Sequence, residues 1–142
     1  MADAPKPGSV LLSGATGSNA DKINGIFEPT SETCDNLPVY KKKDTKEEIW
    51  LEFNKGLSYW FIRSTSNRGT NVGWSYCAVS LPCLPQGCPA SKWQIYNGKE
   101  FETVASLRVL LLSGPPQHLQ AMADNISSVI KSEVFFTIFQ YI

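Results

Sequence analysis

The feature that most constrains this chain is a series of short apolar segments separated by turns. The 142 residues include 10 Gly and 9 Pro, and most of them stand between those segments. Helix interiors rarely tolerate so many Gly and Pro residues, whereas short strands bounded by turn residues are typical of sandwiches and barrels. The sequence therefore predicts a mainly β fold, a single sandwich-like or barrel-like antiparallel module of about eight strands over residues 9–112.

Two pairs of segments predict hairpins. Residues 49–53 and 59–63 flank a turn, and residues 92–96 and 100–104 flank Asn97 and Gly98, a dipeptide that favours tight hairpin turns. The alternation of side chains along each strand then predicts which residues face the core.

This alternation assigns the four tryptophans to faces. Trp60 and Trp93 fall on apolar faces and are predicted to be core. Trp74 is also predicted to be core, on a face with Val72, Tyr76 and Ala78 and opposite Gly73, Ser75 and Cys77. Trp50 shares a face with Glu52 and is predicted to be partly exposed.

A set of aromatic residues is left for the outside of the sheet. The candidates for a ligand or partner surface are Tyr40, Trp50, Tyr59 and Tyr96. Aromatic rings on a β face suit stacking on sugars or packing against a partner protein. The alternative is that these rings pack internally, under a second sheet face or under a C-terminal helix.

The two ends of the chain are predicted to lie outside the β module. Residues 1–8 are interpreted as a flexible N-terminus, and residues 113–117 as a Gly/Pro break. Apolar residues at helical spacing then predict an amphipathic helix, followed by an apolar tail, within 118–142. The candidate partner-binding residues of the tail are Phe135, Phe136, Phe139 and Tyr141.

Charge and hydropathy exclude several classes of partner. Lys and Arg number 13 and Asp and Glu number 13, so the chain lacks the basic field of a nucleic-acid-binding protein. No apolar run reaches the roughly 18 residues of a membrane-spanning helix. The N-terminal residues contain no apolar signal region, so the sequence predicts a cytoplasmic or other intracellular protein with mostly reduced cysteines.

The motifs that carry chemistry each have a simpler explanation. Residues 10–20 imitate a strand followed by a dinucleotide-binding turn, but Asn24, Gly25 and Pro29 prevent the helix that must follow. The four Cys residues include no pair separated by only two positions, as structural zinc sites require. A disulfide between Cys83 and Cys88 remains an alternative. The single His, His118, directly follows the Gly/Pro break, which is a poor platform for a catalytic group. The sequence therefore predicts no enzyme, no cofactor and no metal.

Several spaced segments together resemble a known module. They are SGATG at 13–17, INGIFEPT at 23–30, PVY at 38–40, WLEF at 50–53, GW at 73–74, and WQI at 93–95 followed by Asn97, Gly98 and Phe101. This pattern resembles a β-rich module of about 100 residues, often repeated in tandem, in proteins of protists and algae. No activity is assigned to that family. The resemblance implies a module boundary near residue 112 and a non-catalytic role.

These observations predict a non-catalytic interaction module, a small protein-binding or assembly subunit that docks through its C-terminal tail. Its partner would be another protein or a second copy of the chain. The alternative is a β domain that binds a glycan or another small ligand through its exposed aromatic residues.

Overall fold

The computed structural model describes residues 5–112, and these form one antiparallel sheet of nine strands. The strands are β1 (Val10–Ser13), β2 (Gly25–Cys34), β3 (Leu37–Lys42), β4 (Ile49–Asn54), β5 (Tyr59–Ser64), β6 (Ser75–Ala78), β7 (Trp93–Tyr96), β8 (Phe101–Thr103) and β9 (Arg108–Leu111). A four-residue helix, α1 (Ala20–Ile23), precedes β2. Short 3-10 turns occupy Thr65–Asn67, Pro85–Gly87 and Ala90–Lys92.

The strands follow one another as a meander that curls back on itself. The order across the sheet is β8-β7-β6-β5-β4-β3-β2-β1-β9, so that β9 returns beside the first strand. The result is a curled half-barrel, which confirms the predicted mainly β, barrel-like or sandwich-like module. None of the helices in this part of the chain is long and apolar enough to cross a membrane.

The core lies on the inner face of the curled sheet. Both predicted hairpins are present, as β4 with β5 and as β7 with β8. Trp60 and Trp93 are fully buried, as predicted. Their inner-face companions include Val10, Leu12, Phe27, Leu51, Phe53, Ile62, Cys77 and Ile95.

The predicted faces of the strand around residue 76 are wrong. Ser75 and Cys77 are fully buried, whereas Tyr76 faces outward and Ala78 is exposed. Cys77 lies in register between Trp60 on β5 and Trp93 on β7. Because these two indoles fill the space on either side, the inner position between them accepts only a small side chain.

Trp74 precedes this strand and is only half-buried, although it packs against the core. Its backbone N–H donates to the Ile62 carbonyl at 2.8 Å, and the Lys22 ammonium lies 4.9 Å from the centre of its ring. The predicted Gly/Pro break, the amphipathic helix and the tail with Phe135, Phe136, Phe139 and Tyr141 lie outside the described residues.

Candidate binding surface

Aromatic side chains from four neighbouring strands meet on the outer face of the sheet. We call this set the aromatic stripe, and it consists of Tyr59, Phe61, Tyr76, Tyr96 and Phe101. The register pairs residue 61 with 76 and residue 96 with 101, so these side chains lie on one face of the sheet. Cross-strand neighbours of this kind approach within reach of their aromatic rings.

The rings of the aromatic stripe touch in sequence. Tyr59 and Tyr76 stack at 4.8 Å between ring centres with 12° between their planes. Tyr76 and Phe101 meet edge to face at 4.9 Å, and Phe101 contacts Tyr96 at 5.4 Å. Both geometries are favourable for aromatic pairs, so each ring fixes the position of the next.

One end of the aromatic stripe opens into a cleft. The cleft is lined by Asn71, Val72, Gly73, Tyr96 and Phe101 and has a volume of about 360 Å³. Val72 is 55% exposed, Phe101 37% and Tyr96 36%. No lining residue carries a formal charge, so the cleft offers aromatic and aliphatic surface together with an amide and a phenol.

Gly73 allows the cleft wall to approach the sheet. A Cβ atom at this position would lie 2.9 Å from the Ile62 carbonyl oxygen and 3.1 Å from Cδ1 of Phe61. Only glycine permits this contact without a shift of the backbone. Asn54 Nδ2 donates to the Asn71 side-chain oxygen at 3.3 Å, which ties the other side of the cleft to β4.

A partly buried ion network holds the loop that carries this wall. Glu52 on β4 accepts hydrogen bonds from Arg63 Nε at 2.8 Å and from Arg68 Nη2 at 3.0 Å. Arg63 also donates to the Thr70 carbonyl, and Arg68 donates to Glu32. Because the Glu32 hydrogen bond stabilises the charged guanidinium, the pKa of Arg68 is raised, and the pKa of Glu32 is lowered by the same contact.

The structure places the four aromatic residues predicted for this surface in different environments. Tyr40 is 2% exposed and packs edge to face on Trp60 at 6.0 Å, so its predicted exposure is wrong. Burial raises its pKa to about 12. Tyr59 is half-buried in the aromatic stripe, and Tyr96 lines the cleft.

Trp50 lies on the predicted face but is covered. It is only 9% exposed, with the Arg68 guanidinium 4.0 Å and the Lys41 ammonium 5.3 Å from the centre of its ring. Its indole N–H donates to the Thr65 hydroxyl at 2.8 Å. The expected exposure is wrong because the loop after β5 folds across it, a long-range arrangement that strand alternation does not encode.

Sequence reasoning misses three residues of the aromatic stripe. Tyr76 is predicted to be core, and Phe61 and Phe101 are not among the predicted surface residues. The signal for Phe101 was available, since a hairpin turn at 97–100 places residue 101 opposite Tyr96. No such signal was available for Tyr76, because its position depends on which residues of β6 face the core.

The cysteines and other metal-ligating side chains form no metal-binding group of three or more within residues 5–112. All four cysteines carry free thiols, with Cys77 and Cys88 buried and Cys34 and Cys83 half-buried. His118 lies outside the described residues.

Comparison of the chain with known protein families, with curated proteins and with solved structures returned no match. The resemblance to the tandem β-rich module therefore stays a prediction.

Proposed function

We propose that this chain is a non-catalytic binding module that takes a neutral sugar ring in the cleft at the end of the aromatic stripe. The observation that carries the proposal is the pair of exposed rings, Tyr96 and Phe101, in contact with each other at the wall of an uncharged cleft. Sugars present apolar C–H faces that stack on such rings.

The size and charge of the cleft support this ligand class. Its volume of about 360 Å³ lies in the range of small-molecule sites, about 300–1,000 Å³. An anionic ligand would need a basic group in the lining, and the five lining residues include none. A protein interface needs about 800 Å² from each partner, far more than this cleft offers.

The polar groups of the cleft suit hydroxyl ligands. The Asn71 side-chain oxygen accepts from Asn54, and its Nδ2 donates to no residue within 5–112. The Tyr96 hydroxyl adds a group that both donates and accepts. A few polar groups on a mainly apolar wall are typical of sites that orient a small ligand.

The predicted docking of the chain through its C-terminal tail remains a separate proposal, because the tail lies outside the described residues. The cleft does not depend on it, since every lining residue belongs to 71–101. A protein partner or a second copy on this face is therefore an alternative outcome of the test below.

The test is calorimetric titration of the full chain with neutral mono- and oligosaccharides selected from a glycan array. Tyr96→Ala and Phe101→Ala should each weaken binding about tenfold, which corresponds to about 1.4 kcal/mol of lost ring contact. Leu81→Ala is the matched control, because Leu81 is 77% exposed and does not line the cleft.

The control variant should bind as the unchanged chain does. Preference for charged glycans, or equal affinity in all three variants, would refute the assignment. Light scattering on the same samples distinguishes the alternative, since self-association that Phe101→Ala abolishes would identify the face as a protein interface.

A further inference from the structure

Three of the four cysteines converge at the end of the sheet where β6 passes into β7. Cys77 lies on the inner face of β6, and Cys83 and Cys88 lie in the connection between the two strands. Cys77 and Cys88 belong to the same buried cluster. The neighbouring Cys77 thiol, burial and the Cys83 thiol together raise the pKa of Cys88.

The turn between Cys83 and Cys88 brings these two residues side by side. The Gly87 N–H donates to the Leu84 carbonyl at 2.8 Å, and the Cys88 N–H donates to the Pro85 carbonyl at 3.0 Å. A Cβ atom at Gly87 would lie 3.5 Å from Sγ of Cys83. The chain therefore turns back on itself and carries the next residue, Cys88, to the Cys83 side chain.

The two thiols differ in access to solvent. Cys83 is half-buried and lines an open cavity of about 330 Å³ together with Leu81 and Lys92. Cys88 is only 9% exposed, although it lines a separate cavity of about 350 Å³ with Trp93, and Cys77 is fully buried. Trp60 Nε1 donates to the Cys83 carbonyl at 2.9 Å, which anchors the accessible residue to the core. A dissolved oxidant therefore meets Cys83 first.

We propose that Cys83 and Cys88 are a thiol-disulfide switch that exchanges with a low-molecular-weight disulfide such as oxidised glutathione. The Cys83 thiolate attacks one sulfur of that disulfide and displaces one glutathione thiolate. Cys88 then attacks the Cys83 sulfur and displaces the second glutathione, whose departing thiolate takes up the Cys88 proton. The protein loses two electrons and two protons, and one glutathione disulfide becomes two thiols.

Cys77 is the neighbour that competes for Cys88. The neighbouring Cys88 thiol and Lys92 lower the pKa of Cys77, whereas the Cys77 thiol and burial raise the pKa of Cys88. Burial also raises the pKa of Cys83, so its attack should become faster as the pH rises above neutral. Cys77 is nevertheless shielded from dissolved disulfide by its position between two core tryptophans. We therefore expect the mixed disulfide to form on Cys83 and to be resolved by Cys88.

The test treats the reduced full chain with oxidised glutathione and assigns each cysteine by differential alkylation. All three cysteines fall in one tryptic peptide, residues 69–92, because trypsin cleaves after Arg68 and after Lys92 and no Lys or Arg lies between these sites. Free thiols are labelled in denaturant with one reagent, the disulfide is reduced, and the released thiols are labelled with a second. Fragmentation of the peptide should then locate the second label on Cys83 and Cys88 and the first on Cys77.

Two variants sharpen the result. Cys88→Ala should trap glutathione on Cys83, because the resolving thiol is gone. Cys34→Ala is the control, since Cys34 lies at the end of β2, and it should leave the switch unchanged. A disulfide between Cys77 and Cys88, a lasting glutathione adduct on the unchanged chain, or an unreactive Cys83 would overturn the proposal. The labelling of the unchanged chain decides this even if a variant does not fold.

Discussion

Replacement of Glu52 by alanine should destabilise the fold strongly, because it removes the one carboxylate within residues 5–112 that Arg63 contacts. Arg63 is 2% exposed, and its Nε lies 2.8 Å from Glu52 Oε1. The same carboxylate accepts two further hydrogen bonds from Arg68, at 3.0 and 3.1 Å. In the variant, the buried guanidinium keeps the Thr70 carbonyl and the Phe61 ring, whose centre lies 4.7 Å from Cζ, but no carboxylate within residues 5–112.

The expected cost follows from what each arginine retains. Arg68 is more exposed and keeps its two hydrogen bonds to Glu32 while it loses the two to Glu52, so it retains a counter-charge. Arg63 keeps no counter-charge in the described part of the chain, and the loss of one partner from a buried ion pair costs about 3–5 kcal/mol. The free energy of unfolding of a domain is about 5–15 kcal/mol, so Glu52→Ala removes a large part of it.

The assay is urea unfolding followed by tryptophan fluorescence, since four Trp residues report on the fold. Glu48→Ala is the matched control, because Glu48 forms an exposed pair with Lys41 on the same outer face and should change the midpoint little. The double variant Glu52→Leu with Arg63→Met should recover most of the loss, because no unpaired buried charge remains. The reasoning is refuted if Glu52→Ala costs less than about 1 kcal/mol, the value of a surface pair.

Two further predictions concern backbone geometry and alkaline pH. Gly14→Ala should be much more destabilising than Gly17→Ala in the same urea assay. Both glycines have positive φ, but a Cβ at Gly14 would clash with the Ser106 carbonyl oxygen, whereas a Cβ at Gly17 would meet nothing within 4 Å; equal losses would contradict this. The pKa of Tyr40 is raised from 10.0 to about 12, so its contribution to stability is complete below pH 10 and about 2–3 kcal/mol is lost as the pH rises through 12. Tyr40→Phe should reduce this loss of unfolding free energy at alkaline pH, whereas Tyr96→Phe, on the exposed surface, should leave it unchanged. If the dependence of stability on pH is the same in Tyr40→Phe as in the unchanged chain, the assignment to Tyr40 is refuted.

The fold class and much of the core were predictable because they depend on local patterns. Side chains of the β4 and β5 segments alternate between the two faces of the sheet, and a short turn joins the segments. The turn at Asn97 and Gly98 favours a hairpin by its backbone conformation, with Gly98 at a φ of 101°. Trp60 and Trp93 fall on apolar faces of these hairpins, and both are fully buried.

The candidate site was predictable only in part. Tyr59 and Tyr96 belong to the outer aromatic surface, but Tyr40 is core and Trp50 is covered by Arg68. Arg68 reaches Trp50 because Glu32 and Glu52, far away in sequence, hold its guanidinium. No local pattern around Trp50 encodes that cover.

The sequence by itself determined where the strands form and which hairpins close, since turn chemistry and alternation act over a few residues. Only the tertiary structure decided the phase of β6, where Cys77 fits between Trp60 and Trp93 because they fill the space on both sides. That phase turns Tyr76 outward and completes the aromatic stripe. Side-chain volume is shared between neighbouring strands, so a strand whose own pattern is ambiguous takes its orientation from the residues across the sheet.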